Sequence, residues 1–193
     1  SRRDQRHLLE LRATADAVMA GARTVDLNPV NLGPGPAHYR RLRQRRGLAE
    51  FNLRIIVSRT GSVDPKARVF QRAFSPIIIL TTRRASARRL QRLRAVAAEV
   101  RICGATEINF RSAFRWLHRA WGVKRLLCEG GGELNDALFR AGLVNELHLT
   151  VCPRIFGGRT APTIADGLGL GTLPRAVPLE CHSARRHGDK TFV

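Results

Sequence analysis

Residues 126–158 read LLCEGGGELNDALFRAGLVNELHLTVCPRIFGG. Leu126, Leu127 and Cys128 form an apolar run that stops at Glu129, and Gly130, Gly131 and Gly132 follow at once. Leu134, Ala137, Leu138 and Ala141 then recur at i, i+3, i+4 and i+7, one face of a helix, with Gly142 in its C-terminal capping place. A strand therefore runs through a glycine turn into a helix, and a second strand is expected over Glu146 to Cys152. Bare glycines let backbone amides approach a ligand at a helix N-terminus, where the dipole and unpaired N–H groups favour phosphate. The order strand, glycines, helix is the one such sites require. The plain alternative is a tight turn that tolerates glycine.

Outward from this stretch, strands and helices alternate. The pattern predicts a helix over Asp4 to Thr14, a short buried strand over Ala15 to Gly21, and an exit from it through Ala22 to Asn28. Pro29 to Pro36 is a rigid loop, because its prolines and glycines suit neither helix nor central strand. His38 to Arg46 reads as a short helix, and Leu53 to Val57 and Ile77 to Thr81 as strands. Ser86 caps a helix with Leu90, Leu93 and Ala97 on one face, and Val100 to Cys103 is a brief strand. Ser112 is read as the start of a helix through Phe114, Leu117 and Trp121 that ends at Gly122, and Lys124 to Cys128 feeds the glycine turn. Gly157 to Arg175 is loop-rich, and a hairpin is expected from Leu179 through Gly188 to Val193. The fold class is therefore α/β: one domain with a largely parallel central sheet flanked by helices and an antiparallel C-terminal edge.

At 193 residues, with 44% hydrophobic content, the chain buries a substantial core. Apolar runs such as Ile77 to Leu80 are far too short to span a bilayer, so no membrane role is expected. Cys103, Cys128, Cys152 and Cys181 are widely spaced and form no C-x-x-C pair. They read as free thiols of a cytoplasmic protein rather than as disulfides or metal ligands. Lys and Arg number 34 against 15 acidic residues, a formal charge of +19. That charge raises a nucleic-acid reading. The arginines are scattered through helices, however, aromatics do not interleave with them, and no nucleic-acid motif appears. A basic field also draws in small anions.

GARTV at Gly21, IVSRTGSVDP at Ile56 to Pro65 and the EGGG–helix–LVNEL–strand–PRIFGG block together resemble the pyrimidine reductases of riboflavin biosynthesis, a family with the fold of dihydrofolate reductase. The resemblance runs in order along essentially the whole chain. Where the family carries Asp before Glu146, this chain has Asn145. The resemblance implies NADPH as cofactor and a ribosylamino-pyrimidine 5′-phosphate as substrate. It implies that Thr24 contacts the nucleotide and that Asn28 stands where the family carries Asp. Ser58, Arg59 and Thr60 match positions at the adenosine ribose and its 2′-phosphate, where a guanidinium suits NADPH over NADH. Gly130, Gly131, Gly132, Glu133, Leu134 and Asn135 match the pyrophosphate turn. Arg12 and Glu129 match substrate-binding positions, and Glu129 is also the candidate proton donor. A carboxylate between a buried strand and three glycines needs a partner, either a ligand or a structural cation.

The resemblance further implies a homodimer and a deaminase partner, fused or separate. The deaminase signature, H-x-E followed by P-C-x-x-C, does not occur in these 193 residues. It also implies a first strand, central in the sheet, ahead of Ser1, and a last strand that continues past Val193. The rival readings are another dihydrofolate-reductase-like oxidoreductase and, from a different class, a basic nucleic-acid-binding protein.

Overall fold

Unbroken apolar strands need cover on both faces, and the computed structural model, which describes residues 2–193, supplies it. In chain order the elements are α1 (Arg2–Arg12), β1 (Ala17–Gly21), α2 (Ala22–Leu27), α3 (Ala37–Arg45), β2 (Leu53–Val57), β3 (Ile77–Thr81), α4 (Ala87–Arg94), β4 (Glu99–Ile102), α5 (Phe110–Trp121), β5 (Leu126–Cys128), α6 (Gly132–Arg140), β6 (Thr150–Val151), β7 (Arg185–His187) and β8 (Lys190–Phe192). Five strands form a parallel sheet in the order β4-β3-β2-β1-β5. The C-terminal strands form a small antiparallel sheet of their own, ordered β6-β8-β7.

Side chains alternate across the sheet with period two. Met19, Ile55, Ile78 and Leu80 face Phe110, Leu117, Leu134 and Leu138 of α5 and α6. Val18, Ala20, Ile56 and Ile79 face Val25, Leu32, Val69 and Leu93 on the other side. Each cluster joins residues distant in sequence, so the two faces hold the parallel order.

Several boundaries differ from expectation for identifiable reasons. Residues Ala22–Leu27 form a helix where only a chain exit was expected. The Ser112 helix begins earlier: Asn109 is the N-cap, its Oδ1 accepting from the Ser112 amide at 3.0 Å, while the Ser112 hydroxyl donates back to the Asn109 carbonyl. Ser112 thus closes a reciprocal cap rather than opening the helix. The strand before the glycine turn starts at Leu126, because Asp16 Oδ2 accepts from the amides of both Lys124 and Arg125 at 2.8 Å.

The strand expected over Glu146 to Cys152 is regular only at Thr150–Val151, extended by two backbone hydrogen bonds of 2.9 Å between Leu149 and Val193. Residues 144–149 instead line a cavity of about 1340 Å³ whose other walls include Leu126, Leu127 and Cys128. Leu127 and Cys128 of β5 pair with β1 on one side only, so the far edge of this strand opens on that cavity.

Among the described residues, Arg43 and Arg54 lie inside the fold without a salt bridge to a carboxylate. Arg43 donates to the carbonyls of Arg12, Ala15 and Ala49 and so closes the C-terminal end of α1. Arg54, on β2, donates to the Val69 carbonyl at 2.6 Å, to the Ser75 hydroxyl at 3.1 Å and to the Ser75 carbonyl, with its guanidinium 4.1 Å from the Phe74 ring. Burial pushes the Arg54 pKa down to about 10. Arg54→Leu is expected to strand those acceptors and to destabilise the domain by about 2–4 kcal/mol. Urea unfolding reads this directly, and an unchanged midpoint would mean that the loop over residues 69–75 is held by Phe74 and its neighbours instead.

Candidate active site at the glycine turn

Open parallel sheets bind ligands beyond the carboxyl ends of their strands. Here β2, β1 and β5 are neighbours, so the residues that follow them share one edge. With strands about 4.8 Å apart, the ends of β2 and β5 lie roughly 10 Å from one another, a span that suits an extended ligand.

The centre of this edge is the junction of β1 with β5. The Glu129 amide donates to the Met19 carbonyl and the Gly21 amide to the Gly130 carbonyl, both at 2.8 Å. Gly130 takes the left-handed conformation, φ +83°, which glycine alone adopts without strain. Gly131 is the N-cap of α6, and it is not left-handed (φ −75°). Its constraint is space: a Cβ at Gly131 would stand 3.2 Å from Thr24 Oγ1. Thr24 and the turn are therefore brought together, with α2 and α6 starting side by side. The first turn of α6 presents backbone amides and the exposed Glu133, whereas the Leu134 side chain belongs to the core and leaves only its backbone at the site. Asn135 Nδ2 donates to the Ile164 carbonyl at 2.8 Å, and its Oδ1 lies 3.6 Å from Cys128 Sγ. Burial pushes the Cys128 thiol up to about 11, while Cys152 and Cys181 are exposed.

Glu129 and Arg12 meet each other. Arg12 Nε donates to Oε1 at 2.5 Å and Nη2 to Oε2 at 2.6 Å, a two-point ion pair with side chains only 8% and 10% exposed. Arg12 Nη1 donates to the Gly33 carbonyl at 2.7 Å, which ties the pair to the Pro29–Pro36 loop. Thr24, Glu129, Gly130 and Asn135 all line the cavity described above.

The remaining expected contacts are placed apart from this centre. The Asn28 side chain is exposed and donates back to the Thr24 carbonyl, closing its own helix. Ser58 is buried at the end of β2, where its hydroxyl accepts from the Ser62 amide at 2.9 Å. The Arg59 guanidinium pairs with Glu107 at 2.7 Å, both side chains at least half exposed, and an exposed pair of this kind is readily exchanged. The Thr60 carbonyl accepts from Arg89. Asp166, missed in the sequence, lies against Gly132: a Cβ there would overlap its carboxylate. Only the T-x-x-D spacing of Thr163 and Asp166 hinted at it. Among the described residues no group of three or more His, Cys, Asp or Glu could hold a metal ion, and no helix is long and apolar enough to cross a membrane.

Residues 1–193 match the RibD C-terminal domain family. The chain is 32% identical over 178 residues to the 2,5-diamino-6-ribosylamino-4(3H)-pyrimidinone 5′-phosphate reductase of Aquifex aeolicus, covering 92% of this chain and 75% of that protein. It is 33% identical over 164 residues to the protein of the same name from Archaeoglobus fulgidus, covering 85% and 74%. Among solved structures, a pyrimidine reductase-like protein from Corynebacterium diphtheriae shares the fold at a TM-score of 0.76 and 24% identity, over 98% of this chain and 78% of that one. The chain belongs to the RibD C-terminal domain family.

Proposed function

We infer that this chain is a reductase of riboflavin biosynthesis that converts a ribosylamino-pyrimidine 5′-phosphate to its ribitylamino product with NADPH. The observation that carries the reading is the family match over the whole chain. The relatives named as diaminopyrimidinone phosphate reductases, at 32% and 33% identity, favour that substrate over the uracil form.

The residues fit a dinucleotide. Gly131 offers bare backbone opposite the Thr24 hydroxyl, and the amides of the first turn of α6 suit a pyrophosphate. Ser58, Arg59 and Thr60 lie further along the same sheet edge, at the adenosine end. When bound, NADPH supplies a hydride to C1 of the opened sugar. The adjoining nitrogen of the imine then needs a proton. Glu129, which lines the cavity and is ionised in its pair with Arg12, is the group assigned to relay that proton from a water. Arg12 orients Glu129, and its place on the substrate side runs through that contact. The exposed apolar side chains of Ile155, Phe156 and Leu173 support a homodimer. A deaminase, fused or separate, is the partner that would supply the pathway's neighbouring step.

The test is loss of NADPH absorbance on adding 2,5-diamino-6-ribosylamino-4(3H)-pyrimidinone 5′-phosphate. Oxidation that requires this substrate is expected; its absence with both pyrimidine forms would overturn the reading. Arg59→Ala is expected to weaken NADPH by about 1–3 kcal/mol while leaving NADH nearly unchanged, once Arg59 exchanges Glu107 for the 2′-phosphate. Equal losses for the two cofactors in a fluorescence titration would remove Arg59 from the site.

A further inference from the structure

We propose that residues 163–169 form a strap whose Asp166 carboxylate holds the anion place at the start of α6, and that a dinucleotide binds by displacing it. The inference rests on the cofactor reading above and adds a self-blocking element to it.

Gly132, the first residue of α6, is in contact with the Asp166 side chain so closely that no Cβ fits between them. Asp166 Oδ1 accepts from the Thr163 amide at 2.8 Å and from the Thr163 hydroxyl at 2.6 Å. These two bonds, with the charge of nearby Arg23 as a smaller cause, hold the Asp166 carboxyl below the usual range, so it is anionic at neutral pH. Arg23 precedes Thr24, whose hydroxyl stands opposite Gly131. A phosphate at the first turn of α6 would meet this carboxylate beside Gly132, like charge against like, so the two do not share the place.

The strap is fastened by polar contacts at both ends. Asn135 Nδ2 donates to the Ile164 carbonyl at 2.8 Å, and the Gly169 amide donates to Asp136 Oδ1 at 3.0 Å. Asp136 is buried and keeps a second partner, Arg140, at 2.8 Å, so its anchor survives when the strap leaves. Gly167 lies flat on the Asp136 carboxylate, where a Cβ would overlap it. Ile164 and Leu168 are 56% and 86% exposed, so these apolar side chains do little to hold the strap down. A segment fastened by a few partly exposed hydrogen bonds is one that opens locally.

The experiment combines NADPH titration with hydrogen exchange at the amides of Thr163 and Gly169. Asp166→Ala and Asp166→Asn are both expected to bind NADPH about three- to tenfold more tightly than the unaltered chain. Saturating NADPH is expected to speed exchange at those two amides in the unaltered chain, and inorganic pyrophosphate to do the same at higher concentration. Normal binding with unchanged or weaker affinity in both variants, or with slowed exchange at the two amides, overturns the strap and leaves the cofactor reading standing. Failure of NADPH to bind any of the three proteins removes the cofactor reading and the strap together.

Discussion

Arg12→Met and Glu129→Leu are each expected to destabilise the domain by about 3–5 kcal/mol, and the two together by far less. Either change alone leaves a nearly buried charge without its partner, since the pair is engaged at two points and only 8% and 10% exposed. Removing both charges leaves an apolar contact of similar volume, which proteins tolerate well. The double variant is the informative one. It should approach the parent in thermal and urea unfolding yet lose turnover by about 10²–10⁴-fold, the usual consequence of deleting a well-placed acid–base group. A refolded double variant with near-normal turnover would make the pair a purely structural clamp and assign the proton to water.

Gly131→Val is the second large effect. Its Cβ would stand 3.2 Å from Thr24 Oγ1 before the two methyl groups are added, and those methyls fill the approach to the amides. NADPH affinity is expected to fall about 100-fold or more, equivalent to roughly 3 kcal/mol. Circular dichroism and a cooperative melt check that the fold survives, because Gly131 has an ordinary negative φ that valine can adopt. Normal NADPH affinity in a folded variant would leave the turn with a structural role alone.

The parts of this fold that were readable are those in which one local rule acts alone. Leu53–Val57 and Ile77–Thr81 are covered on both faces and bounded by polar residues, so their limits follow from hydrophobicity. The strand–glycine–helix order around Gly130 was readable for the same reason. Contacts between distant segments were not. Arg12 and Glu129 were each picked out as substrate contacts, but nothing in either local sequence shows that they bind one another across 117 positions. Nor does composition reveal that Asp166, from a loop-rich stretch, reaches Gly132. Ser112 misled because serine suits both the N-cap and the position three residues later, and Asn109 took the first. The strand from Glu146 was read too long because its apolar residues line a cavity instead of pairing with β5.

The hydrogen bond from the Gly21 amide to the Gly130 carbonyl closes the site between strands that are adjacent in space but separated by β2, β3, β4 and α5 along the chain. Non-local parallel pairings of this kind are slow to form, since loop closure precedes the contacts that reward it. The turn is closed only once β5 has joined β1, and a chain without that pairing has no pocket to offer. A ligand seated there binds the finished domain alone, and at one hundred times its Kd it adds about 2.7 kcal/mol to the stability of every strand at once. Resistance to proteolysis in the central sheet, far from the glycines, then rises and falls with occupancy of the turn.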